Sequence, residues 1–331
     1  MRILFLSNFY PPADLGGWEQ WCHEVAEAFG ERGHDVWVLT SNYGLERVDQ
    51  PERNVFRTLY LESDLEHYRP LDVFFQLGRR DRHNRRVMRS LVERIQPDVI
   101  FVWGMWQLDP GLAVLAEGLR PGRVAYYFCG YWPIDPDPHT AFWAASEPKA
   151  WVGAIKKPLA RVVQWRLRKR NRDRPKFQHA ACVSRAVRDL LCAGGAEVET
   201  AEVIYGGIEL EAFQRSVPPR TGAAAAQPLK ILYAGSVNAA KGVDTLLKAI
   251  AFLAKDFEPH AFHASIVGGG HPEFRSWAEA FIQEEQIQGY VELLPRVDRE
   301  AMPELLKAYD VLAFPSAWPE PLARMMMEGL A

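Results

Sequence analysis

The sequence has little of what marks secreted, metal-binding or membrane-spanning proteins. It contains four cysteines in 331 residues, and their wide spacing matches neither a metal-binding pattern nor a small disulfide framework. It has no apolar run of about 18 residues, so we expect no membrane-spanning helix. The N-terminal apolar run, Met1–Asn8, is too short for a signal peptide and predicts a first strand. We therefore expect a cytoplasmic protein.

The sequence also lacks a strong net charge and two common phosphate-binding motifs. A net charge of −3 gives no overall attraction to nucleic acid. The turn Gly235–Gly242 is not a Walker A loop, because glycine rather than serine or threonine follows Lys241. The glycine run at 268–270 lacks the Gly-x-Gly-x-x-Gly spacing of a dinucleotide-binding fingerprint.

What the sequence does contain is an alternation of short apolar runs and amphipathic segments, with an ordinary globular composition of 48% hydrophobic and 24% charged residues. This alternation predicts a mostly parallel, doubly wound α/β fold. In the first part of the chain, strands are predicted at 3–7, 36–40, 55–60, 99–103, 124–128, 180–183 and 203–204, and helices at 18–32, 85–95, 110–118, 150–171 and 184–193. In the second part, strands are predicted at 229–234, 264–267, 291–294 and 311–314, and helices at 243–254, 273–285 and 299–309.

The alternation breaks at residues 214–228, which are low in apolar bulk and carry three prolines. Such a composition is typical of an interdomain linker. We predict a first domain at 1–213 and a second at 229–331. Two α/β domains in tandem lead us to expect a cleft between them.

Two carboxylates near the end of the chain, Glu320 and Glu328, are eight residues apart at a predicted helix start. On one helix they would be roughly 12 Å apart along the axis, which is too far for an acid/base pair and suits a long ligand held at two points. Pro321 fits the first turn of that helix. The alternative is an ordinary amphipathic helix with two unrelated glutamates.

The turn Gly235–Gly242 places Lys241 just before a predicted helix, where its ammonium and the nearby amides could meet a diphosphate. A solvent-exposed lysine in a tight turn is the alternative. Gly16 and Gly17 open the first predicted helix, and this loop either admits a phosphate or sugar or only makes a turn. The aromatic side chains of the loop 126–139 could stack on a sugar ring or pack only against one another within the loop. The same loop contains Asp135 and His139.

The segment 151–176 combines ten basic residues within 156–176 with apolar residues that include Trp151 and Trp165. A basic amphipathic helix with tryptophan is typical of proteins that lie on an anionic membrane surface. A solvated helix face is the equal alternative, and a nucleic-acid surface is a weaker one.

Together these segments resemble the retaining nucleotide-sugar glycosyltransferases of the GT-B fold, specifically the large family four. The resemblance extends over residues 1–331 and is strongest in the segments Phe9–Glu19, Gly33–Thr40, Val183–Ser184, Gly235–Gly242 and 315–328. It implies two Rossmann-like doubly wound domains facing a cleft, with the acceptor on the N-terminal domain and the nucleotide-sugar on the C-terminal one. It also implies a second domain that is truncated at its C-terminus, with weak stability and low activity.

The resemblance assigns roles to individual residues. Lys241 would bind the donor diphosphate and stabilise the leaving charge, and Glu320 would bind the sugar hydroxyls; these two are the expected catalytic residues. Glu328 would bind the ribose. The remaining expected donor-binding residues are Ser236, Leu322, Ala323 and Arg324, and Gly16 and Gly17 would lie near the phosphate and the acceptor.

The family likeness further implies transfer of a hexose from a UDP, GDP or ADP donor to a hydroxyl acceptor, with retained configuration and without a metal or cofactor. Lipid-linked or polysaccharide acceptors are family-level expectations, whereas a peripheral place on the inner face of the plasma membrane is expected from the basic segment 151–176. Two positions depart from the family pattern: Ser236 stands where many members have arginine, and Cys129 stands where many have the active-site histidine. A degenerate non-catalytic partner subunit, or a GT-B epimerase or phosphorylase, therefore stays open as an alternative.

Overall fold

The computed structural model describes residues 1–13, 16–48, 52–146, 150–214 and 227–331, with the backbone alone for 150–155. The chain divides into two compact units, Met1–Tyr205 and Gly206–Ala331, which we call the first and the second unit. Most of the predicted linker lies outside the described residues, so the boundaries at 213 and 229 stay predictions.

The first unit is built on a seven-stranded sheet in which every strand pair is parallel. Its strands are β1 (Arg2–Ser7), β2 (Asp35–Ser41), β3 (Val55–Leu59), β4 (Val99–Gly104), β5 (Val124–Phe128), β6 (His179–Cys182) and β7 (Glu202–Val203). They lie in the order β3-β2-β1-β4-β5-β6-β7, and Ile3 of β1 is in register with Val36 and Val99. Residues 3–7 of β1 are all buried, as expected for a strand covered on both faces.

The helices of the first unit are α1 (Gly17–Glu31), α2 (Asp72–Phe75), α3 (Leu77–Ile95), α4 (Gly111–Leu119), α5 (Pro138–Ala144), α6 (Ala150–Arg170) and α7 (Arg185–Ala193). Three differ from the predictions. Helix α3 begins at Leu77 rather than near 85, because the polar residues Asp81 and Asn84 lie on its inner face and interrupt the apolar periodicity. Helices α2 and α5 lie in segments where no pattern was predicted.

The second unit has a four-stranded parallel sheet in the order β10-β9-β8-β11. Its elements are α8 (Leu210–Phe213), β8 (Leu229–Ala234), α9 (Val243–Leu253), β9 (Phe262–Val267), α10 (Pro272–Glu284), β10 (Val291–Leu294), α11 (Met302–Lys307), β11 (Val311–Leu312) and α12 (Arg324–Leu330). The predicted helix 299–309 is shorter and begins as a 3₁₀ turn at Arg299–Ala301. The core of the second unit contains Leu247, Ile266 and Ala278, each essentially inaccessible to solvent.

Both sheets are parallel with helical connections, which confirms the predicted α/β class. Within the described ranges, no helix is both long enough and apolar enough to cross a bilayer.

Candidate functional site

The turn after β8 is held in one conformation by its own residues. The Asn238 side-chain oxygen accepts a hydrogen bond of 2.9 Å from the backbone N–H of Lys241. Gly242 has a φ of 73°, and a Cβ at this position would meet the carbonyl oxygen of Pro315. Only glycine fits there without strain. The turn therefore presents Lys241 in a defined place, between the end of β8 and the start of α9.

Lys241 meets Glu320 because their loops follow neighbouring strands. Strands β8 and β11 are adjacent and parallel, so the loops after them leave the same edge of the sheet. The backbone N–H of Ala317 donates to the carbonyl of Ala240 at 3.0 Å and ties the two loops together. The Lys241 ammonium forms an ion pair with the Glu320 carboxylate.

The surroundings of this ion pair leave it open to a ligand. The Lys241 side chain is 32% exposed and that of Glu320 is 15% exposed. The Ser316 hydroxyl donates to Glu320 Oε1 at 2.8 Å, and the ammonium lies 5.8 Å from the centre of the Trp318 ring. A cation and a carboxylate are thus fixed side by side at the edge of the second sheet.

The prediction that Glu320 and Glu328 share one helix is wrong. Helix α12 begins only at Arg324, and Glu320 and Pro321 lie in the irregular segment before it. Since Glu320 is held by Lys241 and Ser316, its position follows from the neighbouring loop and not from helical spacing. The axial separation of roughly 12 Å, which assumed one helix, does not apply.

Glu328 is fully buried and is held by two arginines. Its Oε1 atom forms an ion pair with Arg299 and accepts a hydrogen bond of 2.9 Å from Arg324 Nε. Arg299 itself lies over the ring of Phe213 at 5.6 Å. The other carboxylate oxygen, Oε2, is buried and has no hydrogen-bond partner among the described residues. An acceptor is therefore available on Glu328 for a hydroxyl group.

The remaining residues predicted for donor binding lie around these two carboxylates. The Ser236 carbonyl accepts a hydrogen bond of 2.7 Å from the Tyr233 hydroxyl. Burial first, and the Glu320 charge second, raise the pKa of Tyr233, so this hydroxyl stays protonated. Leu322 is half-buried and Ala323 is the residue before α12. The guanidinium of Arg324 is engaged by Glu328.

In the first unit, the structure brings the glycine loop and Cys129 into one neighbourhood. Gly16 is the N-cap of α1 and Gly17 its first residue, followed by Trp18. The Trp18 ring lies against Gly130, where an added Cβ would come within 2.8 Å of the ring. Burial raises the pKa of the neighbouring Cys129 thiol well above its usual range. A neutral thiol thus occupies the position where the family pattern has histidine.

This neighbourhood contains a pocket of about 370 Å³ of empty space, partly open to solvent. Its walls follow the carboxyl ends of β1, β4 and β5, which is where open α/β sheets bind ligands. The lining residues are Asn8, Trp18, Trp103, Gly104, Met105, Trp106, Cys129, Gly130, Tyr131, Trp132 and Asp135. Desolvation raises the pKa of the Asp135 carboxyl. His139, the other polar residue noted in the aromatic loop, is not part of this lining.

Sequence reasoning missed a buried cluster of charged side chains around Arg170, the last residue of α6. Its guanidinium contacts Asp81 at 2.7 Å and Glu62 at 2.7 Å, and it lies 3.6 Å from Asp109, which also pairs with Arg85. Burial raises the pKa of Glu62 to about 7. The only signal in the sequence was the pair of polar positions in α3 that interrupt its apolar stripe.

The structure also corrects the predicted basic surface of α6. Arg170 and Lys156, both counted among its charges, are turned inward: Arg170 is in the buried cluster, and Lys156 is 8% exposed and donates to the Ala145 carbonyl at 3.0 Å. Between residues 159 and 169, the exposed side chains of α6 include four basic and three apolar ones, which are Arg161, Arg166, Arg168, Lys169, Leu159, Val162 and Trp165. We call these seven residues the α6 outer face.

His139 lies away from the solvent and is not among the residues that line the pocket. It is fully buried, and its Nδ1 is 2.8 Å from the Tyr68 hydroxyl. Burial lowers the pKa of this imidazole. Across the described residues, no group of three or more histidine, cysteine, aspartate or glutamate side chains is arranged to hold a metal ion.

The chain is similar to curated and solved glycosyltransferases. D-inositol 3-phosphate glycosyltransferase of Xylanimonas cellulosilytica is 30% identical over 140 residues, which are 39% of this chain and 32% of that protein. The match thus spans about a third of the length of this curated relative.

Two solved structures show the fold. Anabaena HepE, in complex with UDP and glucose, superimposes with a TM-score of 0.60 at 18% identity, covering 100% of this chain and 78% of HepE. WaaG, a glycosyltransferase involved in lipopolysaccharide biosynthesis, gives a TM-score of 0.61 at 16% identity, covering 99% of this chain and 78% of WaaG. The predicted GT-B fold is confirmed by these structures.

Two family models match the chain in tandem. Residues 219–331 match the model of glycosyl transferases group 1, and residues 15–212 match the model of Glycosyltransferase Family 4. Because the latter covers more than half of the sequence, this chain belongs to Glycosyltransferase Family 4.

Proposed function

We propose that this protein transfers a hexose from a nucleotide-sugar donor to a hydroxyl acceptor with retention of anomeric configuration. The observation that carries the proposal is the Lys241–Glu320 ion pair at the carboxyl edge of the second sheet. The buried Glu328 follows Glu320 by eight residues in the sequence. Family membership and the UDP and glucose in the HepE structure support the same donor class.

Lys241 is the proposed diphosphate-binding and catalytic cation. It is the more exposed member of the ion pair, and a diphosphate, which carries more negative charge than a carboxylate, competes well for its ammonium. The charge that develops on the leaving phosphate would be stabilised by the same ammonium, an effect that contributes strongly to transfer rates. Glu320, released from Lys241, would accept hydrogen bonds from the sugar hydroxyls.

Glu328 is proposed to bind the ribose. Its Oε1 atom is used by Arg299 and Arg324, whereas its Oε2 atom has no partner among the described residues. A buried carboxylate oxygen without a donor is costly, and a ribose hydroxyl would satisfy it. Ser236, Leu322, Ala323 and Arg324 would complete the donor site mainly through backbone groups, since the Arg324 side chain is engaged.

Retention is proposed to follow from attack on the same face as the departing phosphate, which takes the acceptor proton. No metal or cofactor is required in this scheme, because Lys241 supplies the positive charge. Gly16, Gly17 and Cys129 belong to the first unit and are proposed to serve the acceptor side.

Calorimetric titration of the whole protein with UDP, GDP and ADP tests the donor site. We expect one nucleotide to bind and Lys241→Ala to abolish that binding. Lys248→Ala is the matched control, because Lys248 is also in the second unit but is 61% exposed and pairs with Asp244 on α9. Failure of all three nucleotides, or equal effects of the two variants, contradicts the proposal.

Product analysis separates the enzyme from its alternatives. We expect slow hydrolysis of the matching nucleotide-sugar, insensitive to EDTA, and release of a sugar whose anomeric NMR signal shows the donor configuration. Nucleotide binding without any turnover indicates the degenerate partner subunit instead. Phosphorolysis or epimerisation of the donor indicates another GT-B enzyme.

We also propose that the α6 outer face contacts an anionic membrane surface, in keeping with a cytoplasmic, peripheral protein that acts on a lipid-linked or polysaccharide acceptor. Trp165, at 63% exposed, and Val162, at 49%, lie among four basic side chains, a combination that favours anionic lipid. WaaG's part in lipopolysaccharide biosynthesis supports an acceptor of the cell envelope.

A further inference from the structure

The pocket of the first unit has an unusual lining, and its chemistry limits what it can hold. Four tryptophans and one tyrosine contribute to the lining: Trp18, Trp103, Trp106, Trp132 and Tyr131. The pocket is concave and partly open to solvent, as sites for small molecules usually are. Aromatic faces of this kind pack against the C–H faces of sugar rings.

The aromatic walls are held by contacts with one another and with the neighbouring Phe9, so they form a prepared surface. Trp103 Nε1 donates to the Trp18 carbonyl at 2.9 Å. The Trp18 ring rests on Gly130, and the Trp106 ring lies 6.1 Å from Phe9. Rings held in this way lose little conformational entropy when a ligand binds.

The charge of the lining is the selective feature. The described lining residues include no lysine, arginine or histidine, and their only formally charged side chain is Asp135. A phosphate monoester carries a charge of about −1.5 to −2 and is bound in proteins by basic side chains or several amides. The pocket offers it a carboxylate instead, which repels it. A neutral hydroxyl-bearing ring meets no such penalty and can hydrogen-bond to Asn8 and Asp135.

We infer that this pocket binds the acceptor as a neutral sugar ring stacked on tryptophan, and that it excludes acceptors phosphorylated on that ring. The inference rests on the proposed function, since it names the acceptor class of the same reaction. Trp106 and Asp135 are its specificity-determining residues: the first supplies stacking at the exposed rim, and the second supplies hydrogen bonds and repels phosphate.

The test measures the binding of matched probes to the whole protein by tryptophan fluorescence and by calorimetry. The probes are methyl glycosides of the common neutral hexoses and the 6-phosphates of the same sugars. We expect at least one neutral glycoside to bind, and its 6-phosphate to bind at least about tenfold more weakly. If no neutral glycoside binds, or if the phosphates bind as well as their neutral counterparts, the assignment of the acceptor class is overturned.

Two variants localise the binding. Trp106→Ala removes a ring that is 38% exposed, and we expect it to weaken glycoside binding about tenfold. Trp277→Ala is the matched control, since Trp277 is also 38% exposed but lies on α10 of the second unit. Equal losses in the two variants overturn the assignment.

Asp135→Lys tests the charge argument directly. Asp135 is exposed at the pocket, so the substitution is tolerated by the fold, and it should improve 6-phosphate binding relative to the neutral glycoside. An unchanged ratio overturns the role of Asp135. Binding of UDP, GDP and ADP, measured in the same samples, distinguishes the two proposals. If one nucleotide binds but glycoside selectivity fails, only the acceptor class is rejected, whereas failure of all three nucleotides rejects the proposed function.

Discussion

The two units of this protein put their charged groups in opposite places. In the second unit, the candidate site itself contains ion pairs: the partly exposed pair of Lys241 and Glu320, and the pairs that two arginines form with the buried Glu328. In the first unit, the candidate pocket is aromatic and its strongest ion pairs are elsewhere, in the buried cluster around Arg170. A partly exposed charge is available to a ligand, whereas a buried pair is occupied with the fold. Substitution of each cation should therefore separate function from stability.

The largest effect is expected from Lys241→Met, which removes the cation of the second unit. Turnover of the nucleotide-sugar should fall by about 10²- to 10³-fold, because the leaving charge loses its electrostatic partner. The unfolding midpoint should change little, since the side chain is 32% exposed and its partner Glu320 keeps the Ser316 hydroxyl. Steady-state kinetics and urea unfolding, measured together, check both statements.

Lys248→Met provides the baseline for this variant, because its pair with Asp244 is on the helix surface and contributes little to stability. A turnover that survives Lys241→Met removes the donor-site assignment. A large loss of stability in that variant breaks the comparison between the units.

Arg170→Met should give the reverse result in the first unit. It leaves Glu62, Asp81 and Asp109 without their shared counterion in a buried place, and loss of one partner from such a cluster costs about 3–5 kcal/mol. We expect a large drop in the unfolding midpoint. The protein that stays folded should keep its affinity for whichever of UDP, GDP and ADP the wild type binds. Chemical denaturation and calorimetry at a temperature below the transition measure the two quantities.

Arg168→Met is the control, since Arg168 is on the same helix two residues away but is exposed. If both variants unfold at the same denaturant concentration, the Arg170 cluster does not stabilise the fold.

These two predictions also show what the sequence could and could not tell. The strands were predictable because buried parallel strands read as short apolar runs, as in residues 3–7 and 124–128. The Arg170 cluster was not, because a buried arginine in a basic segment looks like one more surface charge until its partners from three other segments are known.

The candidate site was predictable only in part. Lys241 and Glu320 are 79 residues apart, and their association depends on strand order, which no local pattern contains. The resemblance to the family named both residues, but helical spacing misplaced Glu320. The two arginines on Glu328 come from separate elements, so only the fold reveals that this carboxylate is shared.

A smaller effect is expected from the pH dependence of the buried cluster. Burial raises the pKa of Glu62 from 4.5 to about 7, so between these values the folded protein binds a proton that the unfolded chain has released. The contribution of Glu62 to stability is therefore greatest at low pH, falls as the pH rises from about 4.5 to about 7, and is constant above that. Glu62→Gln should remove this slope, so its stability relative to the wild type improves with rising pH.

Urea unfolding at pH 5, 6, 7 and 8 measures this difference. Glu66→Gln is the control, because Glu66 is exposed four residues further along the chain. Other groups near Glu62, including Asp109, Asp137 and Arg170, are present in both proteins and cancel in the comparison. A pH-independent difference between Glu62→Gln and the wild type contradicts the raised pKa.

The smallest effect concerns the α6 outer face, an exposed basic surface of the first unit. Trp165→Ala in the α6 outer face should reduce sedimentation with anionic vesicles by about threefold, because the four basic side chains around it keep most of the attraction. Phe252→Ala, which removes an aromatic side chain that is 67% exposed on the second unit, should leave vesicle binding unchanged. Equal binding to neutral and anionic vesicles, or equal losses in the two variants, would mean that the cations of the α6 outer face are only solvated. In that case the charges with a proposed functional role would be those of the donor site in the second unit.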